Sequence, residues 1–344
     1  MFKKSDKKSD KKSVVSGLES VLKDITADFG EGSIMKLSDV KKVDLDVIPT
    51  QSFALDWALG VGGIPKGRII EIYGHEATGK TTLTLHIIAE AQKRGEIAAF
   101  IDAEHSLDPK YAERIGVDLD SLLISQPNSG EEALQIAEKL AKSGAVSLII
   151  VDSVAALTPQ AEIDGDMDEQ QMGLQARLLG KALRKLTSII SKSGTSIIFL
   201  NQIRMKIGAF FGNPETTTGG LALKFFSSIR IELKKIAQIK SGVDVIGSKI
   251  KVKIVKNKAA APFKTVELDI YYNEGISKEI DILNMGLTHE VIQKKGNIYF
   301  FLNKGKEEKL GVGLQATKNF LKENPEILEK IKSAILEKIN NEEN

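Results

Sequence analysis

The stretch Gly74-His75-Glu76-Ala77-Thr78-Gly79-Lys80-Thr81-Thr82 reads G-x-x-x-x-G-K-T and succeeds the run Arg68-Ile69-Ile70-Glu71-Ile72-Tyr73. A loop of this kind needs glycines so that the backbone can fold back with its N–H groups pointing inward. It also needs a lysine that reaches the outer phosphates of a nucleotide, a hydroxyl for Mg²⁺ and a helix N-terminus behind them. Each requirement is met at its spacing. The β-forming Ile69, Ile70 and Ile72 predict a strand before the loop, and Leu83 to Gln92 continues as a helix that Gly95 closes. Residues 74–82 are thus the candidate phosphate cradle, with Lys80 and Thr81 at its chemical end.

A strand, phosphate loop and helix in series constrain the rest of the chain. Ile97-Ala98-Ala99-Phe100-Ile101-Asp102 and Val146-Ser147-Leu148-Ile149-Ile150-Val151-Asp152 are short, almost wholly apolar runs, as expected of strands buried on both faces of a parallel sheet. Leu122 to Ser125 is a weaker strand, Glu131 to Lys142 a helix, and Thr195 to Gln202 a further strand ending in two amides. This alternation predicts an α/β fold: a doubly wound, mainly parallel sheet whose ligands sit beyond the strand C-termini. The loop, Glu104, Asp152 and Gln202 all fall on that edge. Asp152 suits support of Mg²⁺, and Glu104 suits polarising a water that attacks the γ-phosphate, which would make the chain a hydrolase.

The 344 residues suffice for one large and one small domain, and the net charge of +2 gives no global attraction to nucleic acid or membrane. No cysteine is present, which removes disulfides, thiolate metal sites and cysteine nucleophiles and fits a reducing cytoplasm. No apolar run is long enough to span a bilayer and no export signal is visible. Residues 1–14, built on a Lys-Lys-Ser-Asp repeat, are expected to be a disordered basic tail. A helix and strand succeed it over 15–43, with Leu18, Val21, Leu22, Ile25 and Phe29 at helical spacing before Gly30 and Gly32. That apolar stripe packs either on its own core or on a neighbouring subunit. The main domain is expected over 44–277 and a small α/β module over 278–344.

Two segments lack periodicity. Ala161 to Gln171 is acidic and polar; Ile203 to Gly220 mixes Arg204, Lys206, Phe210 and Phe211 with threonines and paired glycines. Long loops inside compact domains are usually functional or disordered, and cations beside aromatic groups suit sequence-tolerant binding of a single strand. The helix between them, Leu174 to Ser191, carries Arg177, Lys181, Arg184 and Lys185 on a partly basic face. The bland alternative is a solvated face beside a loose loop. Lys256 to Phe263 reads as a turn with two exposed cations.

In this order the motifs resemble the RecA family of bacterial recombinases over about residues 15 to 340. The most specific pieces are Ile101-Asp102-Ala103-Glu104-His105, Val151 to Pro159, Asn201-Gln202-Ile203-Arg204-Met205-Lys206, Gly212 to Gly220, and Asn257-Lys258 with Ala260-Ala261-Pro262-Phe263-Lys264. The resemblance implies a DNA-dependent ATPase that assembles with ATP and Mg²⁺ as a helical filament on single-stranded DNA. Such a filament pairs the strand with a homologous duplex and promotes self-cleavage of LexA-type repressors. It implies phosphate and Mg²⁺ binding by Lys80, Thr81 and Asp152, water activation by Glu104, and adenine contacts by Asp108 and Tyr111. Gln202 would sense the γ-phosphate. Lys256 and Lys258 would reach the neighbouring subunit's ATP. The loops at 165–172 and 203–217 would hold DNA, with Met172, Arg177, Arg184, Arg204, Met205, Lys206, Ile207, Phe211, Gly219 and Gly220 as contacts. Leu18, Leu22, Ile25 and Phe225 would serve the subunit interface.

The chain departs from the family pattern at His75, Ala77 and Thr78, where proline and serines are usual, and at Gly180 and Leu221, where serine and asparagine contacts are usual. The usual long acidic tail is reduced to Glu342 and Glu343. Two rival readings differ in kind. A P-loop kinase would need an acceptor pocket and lid, and no segment supplies them; a ring helicase of the same core is opposed by the N-terminal helix.

Overall fold

The computed structural model describes residues 7–30, 33–34, 46–166, 173–205, 215–303 and 305–342. Two units separate at Asp46. In the first, α1 (Lys7–Phe29) starts within the stretch expected to be disordered. The Lys-Ser-Asp repeat holds no proline, and glycine enters only at Gly17, so nothing in it interrupts a helix that the apolar residues after it can nucleate. Gly30, with φ of 90°, ends the helix by donating to Thr26 O. Leu18, Val21 and Phe29 are exposed. The strand expected over 15–43 lies outside the described residues.

The second unit opens with β1 (Val47–Ile48), α2 (Phe53–Leu59) and β2 (Ile64–Pro65). The α/β alternation then runs β3 (Ile69–Gly74), α3 (Lys80–Lys93), β4 (Ile97–Asp102), α4 (Pro109–Ile115), β5 (Leu123–Ser125), α5 (Gly130–Ser143) and β6 (Val146–Asp152). It continues through α6 (Gln160–Asp164), α7 (Leu174–Ser193), β7 (Ser196–Met205), β8 (Glu215–Thr217) and α8 (Ala222–Phe226). A meander comes next: β9 (Ile229–Ser241), β10 (Asp244–Asn257), β11 (Thr265–Tyr271) and β12 (Gly275–Ile276). The C-terminal part is α9 (Lys278–Thr288), β13 (Ile292–Lys295), β14 (Ile298–Asn303), β15 (Lys306–Val312), α10 (Leu314–Glu323) and α11 (Pro325–Glu342).

One sheet takes the order β12-β11-β10-β9-β3-β7-β6-β4-β5, with β8 paired to β7. The strands from β9 to β5 are parallel, and β10, β11 and β12 extend the sheet antiparallel. The pattern of side chains explains why both faces are covered. In β6, Leu148 and Ile150 enter one core while Ile149 and Val151 enter the other; in β7, Ile198 and Leu200 divide from Ile197 and Phe199 in the same way. α3 and α4 supply the first core, and α5 and α7 the second. Each fully buried aliphatic contributes about 1.5–3 kcal/mol of transfer free energy, so these central strands are held by apolar packing on both faces. Register aligns Gly74 with Gln202 and Asp102 with Asp152, which brings the chemistry to one carboxyl edge.

Two expectations are corrected. The strands expected at Ile229–Leu233 and Ile250–Val255 are the inner ends of β9 and β10, a long hairpin turning at Gly242. Its outer part, including Lys234, Lys235 and Val243, is exposed, so it shows no burial pattern in the sequence. The loop expected from Ile203 begins as strand: β7 runs on to Met205, and β8 returns antiparallel with Ile203 opposite Thr217. In the C-terminal part, α9 packs on α2 and β11. β13, β14 and β15 form its antiparallel sheet.

Candidate functional site

The phosphate loop joins β3 to α3. A Cβ at Gly74 would lie 2.3 Å from Leu233 O, and one at Gly79, whose φ is 82°, 2.4 Å from Ile270 Cδ1. Glycine is therefore required at both ends of the loop, by close approach and by conformation. Ala77 takes a positive φ of 55° between them. Lys80 Nζ donates to His75 O at 2.8 Å and Gly74 O at 3.3 Å, which curls the side chain over the loop. Burial holds its pKa below the ordinary lysine value, against the pull of Asp152, Glu104 and Glu76.

Asp152 ends β6 and accepts from Thr81 Oγ1 at 2.9 Å. Burial pushes its pKa up to about 6, offset by the Thr81 hydrogen bond and reinforced by Glu104 and Asp102. A cation beside it would reverse that shift. The donor set fits Mg²⁺: a hydroxyl and one carboxylate, with no cluster of three or more metal-ligating side chains among the described residues. Mg²⁺ typically keeps its waters and takes phosphate oxygens in place of a full protein cage.

Glu104 lies just beyond β4. Its Oε1 accepts from Gln202 Nε2 at 2.9 Å and from the Ser153 hydroxyl. Gln202 Oε1 in turn accepts from Arg204 Nη2 at 2.7 Å. Residues 76–82, Glu104, Asp152 and Gln202 line a cleft of about 250 Å³. A second cavity of about 270 Å³ shares Ala77, Gly79 and Thr82 with it and is closed by Tyr111, Ser248, Ile250, Ile270 and Tyr272. Tyr111 OH and Thr82 Oγ1 are 3.1 Å apart. The second cavity is the less polar of the two. A roomier cleft of about 610 Å³ among residues of α2, α9 and α11 is lined by none of the loop residues 74–82.

Asp108 is placed differently from Tyr111. It caps α4, its Oδ1 accepting from Lys110 N and Tyr111 N, and so orients Tyr111 without lining the second cavity itself. Lys256 Nζ donates to Lys224 O at 2.7 Å and Phe225 O at 3.0 Å, carbonyls in the last turn of α8, while Phe225 is 69% exposed. Lys258 is exposed. Arg177, Lys181 and Arg184 occupy the exposed face of α7, opposite the buried Leu179, Leu183, Leu186 and Ile190. Gly180 has open space around it. A Cβ at Gly219 would strike Leu179 and Val154, so this glycine has a packing reason to be there. Met172, Lys206, Ile207 and Phe211 lie outside the described residues, whereas Arg204 and Met205 are exposed at the end of β7.

Some residues around the site have no sequence signal that announces their part in it. Ser153 sits inside a family motif, yet nothing local shows that its hydroxyl meets Glu104. Glu71 is visible as the one charge between Ile69 and Tyr73, but the strand around it reads as apolar. His75 Nε2 lies 3.2 Å from Glu215 Oε1, a contact between residues 140 positions apart that no local pattern could reveal.

Family comparisons bear on this arrangement. The RecA N-terminal domain matches residues 16–277 and the RecA C-terminal domain residues 280–340. The chain belongs to the RecA family. Proteins named Protein RecA from Francisella philomiragia subsp. philomiragia and Francisella tularensis subsp. novicida are each 58% identical to it over 321 residues, covering 93% of this chain and 88% of the relative. The RecA match spans both the sheet that carries the phosphate loop and the C-terminal helices and strands. An α/β RecA-type core with a small C-terminal α/β part is therefore the fold in both sequence and structure.

Proposed function

We propose that the chain is a DNA-dependent ATPase and homologous recombinase. In this reading it forms an ATP-bound helical filament on single-stranded DNA, catalyses homologous pairing and strand exchange, and activates self-cleavage of LexA-type repressors in the cytoplasm. One observation carries the reading: the Gln202 side chain holds Glu104 with its nitrogen and Arg204 with its oxygen. The same amide thus touches the carboxylate suited to activating water and the cation at the root of the hairpin suited to DNA. Family membership and the exposed Leu18, Val21 and Phe29 on α1 support self-assembly.

Lys80 neutralises the outer phosphates, and Thr81 and Asp152 would hold Mg²⁺, which when bound would supply further neutralisation of phosphate charge. Glu104 takes the proton of the attacking water, Ser153 and Gln202 fixing the orientation of its carboxylate. Tyr111 borders the base. Lys256 and Lys258 would complete a neighbouring subunit's site, so each ATP is finished only by the next protomer; release of the Lys256 ammonium from the α8 carbonyls is the local change this requires. ATP turnover with and without single-stranded DNA, with filaments imaged in the same samples, tests the reading. Turnover indifferent to DNA, or a strictly monomeric chain with ATP and oligonucleotide present, contradicts it.

A further inference from the structure

Glu71 interrupts an apolar strand three residues before the phosphate loop and is fully buried. In the sheet it stands between β7 and β9, paired in register with Phe199 and Arg230. Its Oε1 accepts from Asn201 Nδ2 at 2.9 Å and its Oε2 from Arg230 Nε at 2.5 Å. Asn201 is also fully buried. Its amide nitrogen donates a second time, to Thr218 O at 3.0 Å, and its oxygen accepts from Gln202 N at 2.8 Å. Both donors of the amide are therefore spent on different elements, and its acceptor fixes the backbone of the residue that touches Glu104.

The network has three ends. One is the Gln202 backbone. Another is Thr218, on the limb that returns from β8 after the hairpin. The third is Arg230, which covers the Tyr73 ring and pairs in register with Lys256, the residue that holds the carbonyls of Lys224 and Phe225. Lys224 Nζ also reaches Thr216 Oγ1 of β8 at 3.2 Å. A buried carboxylate is costly unless fully partnered, and an aliphatic would fill this sheet position more cheaply. The charge at Glu71 therefore argues for a positional role.

We infer that Glu71, Asn201 and Arg230 are positioning residues forming a buried relay that sets Gln202, the returning limb of the hairpin and the Lys256–Phe225 end of α8 relative to the phosphate loop. The inference rests on the ATPase reading above and adds to it the side chains that carry the coupling. A displacement of Gln202 on nucleotide binding must pull on Asn201 Oδ1, and through the same rigid amide on Thr218 and Glu71.

Asn201→Ala and Glu71→Gln test it, with Gln keeping the shape of Glu71 while removing its charge. Three quantities are read for each: affinity for a fluorescent ATP analogue, melting temperature, and the factor by which single-stranded DNA stimulates ATP turnover. The relay predicts analogue affinity within about threefold of the parent and a stimulation factor reduced by about tenfold or more, a size typical of coupling between sites. Parental stimulation in both folded variants overturns the relay. So does loss of affinity and stimulation in proportion to melting temperature, which would mark a purely structural role. Should Asn201→Ala not fold, Asn201→Ser, whose hydroxyl can still donate one of the two bonds, decides by the same split. A parent chain that DNA does not stimulate sinks the ATPase–recombinase reading itself and leaves a different result from failure of the relay.

Discussion

Gln202 Nε2 donates to Glu104 Oε1 across 2.9 Å, joining the ends of two strands that do not touch, since β6 runs between β7 and β4. The bond holds Glu104, an exposed side chain, over the cleft that contains Lys80, Thr81 and Asp152. The hydrogen-bond partners of the Glu104 carboxylate are Ser153 and Gln202, outside the phosphate loop, so its removal should leave the cradle intact. Glu104→Ala is expected to bind ATP with near-parental affinity and to slow DNA-stimulated hydrolysis by about 10²–10⁴, the usual contribution of a general base. Analogue binding and steady-state turnover measure the two separately; a variant that loses binding and turnover together would place Glu104 in the cradle.

Arg204 is exposed at the end of β7, and its guanidinium is the first cation of the hairpin. Replacing Arg204 and Lys206 together with alanine should weaken single-strand binding across all sequences. It should also flatten the plot of log affinity against log salt, by about 0.7 in slope for each phosphate no longer neutralised. An affinity change with an unaltered slope would mean that neither residue pairs with phosphate.

The sheet and the carboxyl-edge chemistry are legible in the sequence because each rests on local signals. The phosphate loop is a spacing, and the central strands are runs such as Leu148 to Val151 whose neighbours divide between two cores. The long β9–β10 hairpin is legible only where it is buried, because residues such as Lys234, Lys235 and Val243 lie where side chains stay exposed and leave no apolar pattern. The relay is hidden for the opposite reason. Glu71 meets Asn201 and Arg230 at separations of 130 and 159 residues, and a buried charge looks like a blemish in a strand until its partners are placed.

Asp281 of α9 and Asp56 of α2 meet where the C-terminal helices pack on the core, and burial pushes both carboxyls up to about 7. Asp281 Oδ2 accepts from Ser52 Oγ and Ala54 N at 3.1 Å each, and Asp56 Oδ1 accepts from Thr50. The ordinary value is 3.8, so the folded chain binds these protons more tightly than the unfolded one. Their contribution to stability is full below about pH 4 and is lost as pH rises through about 7. Asp281→Asn keeps the acceptor for Ser52 and Ala54 without the charge. Urea unfolding at pH 5 and pH 8 should show the parent losing more stability than the variant over that interval, by on the order of 1 kcal/mol per pH unit within the window. Parallel loss in the two chains would show that Asp281 does not titrate there.

His75 gives the phosphate loop a direct hold on the hairpin, its Nε2 facing Glu215 Oε1 of β8 at 3.2 Å. Both side chains are substantially exposed, at 54% and 36%, and a polar contact this open to solvent is worth about 0–1 kcal/mol. Its backbone carbonyl, which accepts from Lys80 Nζ and Thr78 Oγ1, is the part that shapes the loop, and any residue supplies it. His75→Pro, the residue the family usually carries, should therefore leave nucleotide affinity within about threefold while removing the imidazole contact to Glu215. Loss of that contact should change the stimulation of turnover by single-stranded DNA by up to about fivefold, the equivalent of about 1 kcal/mol. Glu215→Gln, which keeps an acceptor opposite the imidazole, should change it less. Nucleotide affinity that collapses in His75→Pro would mean instead that the imidazole itself supports the phosphate cradle.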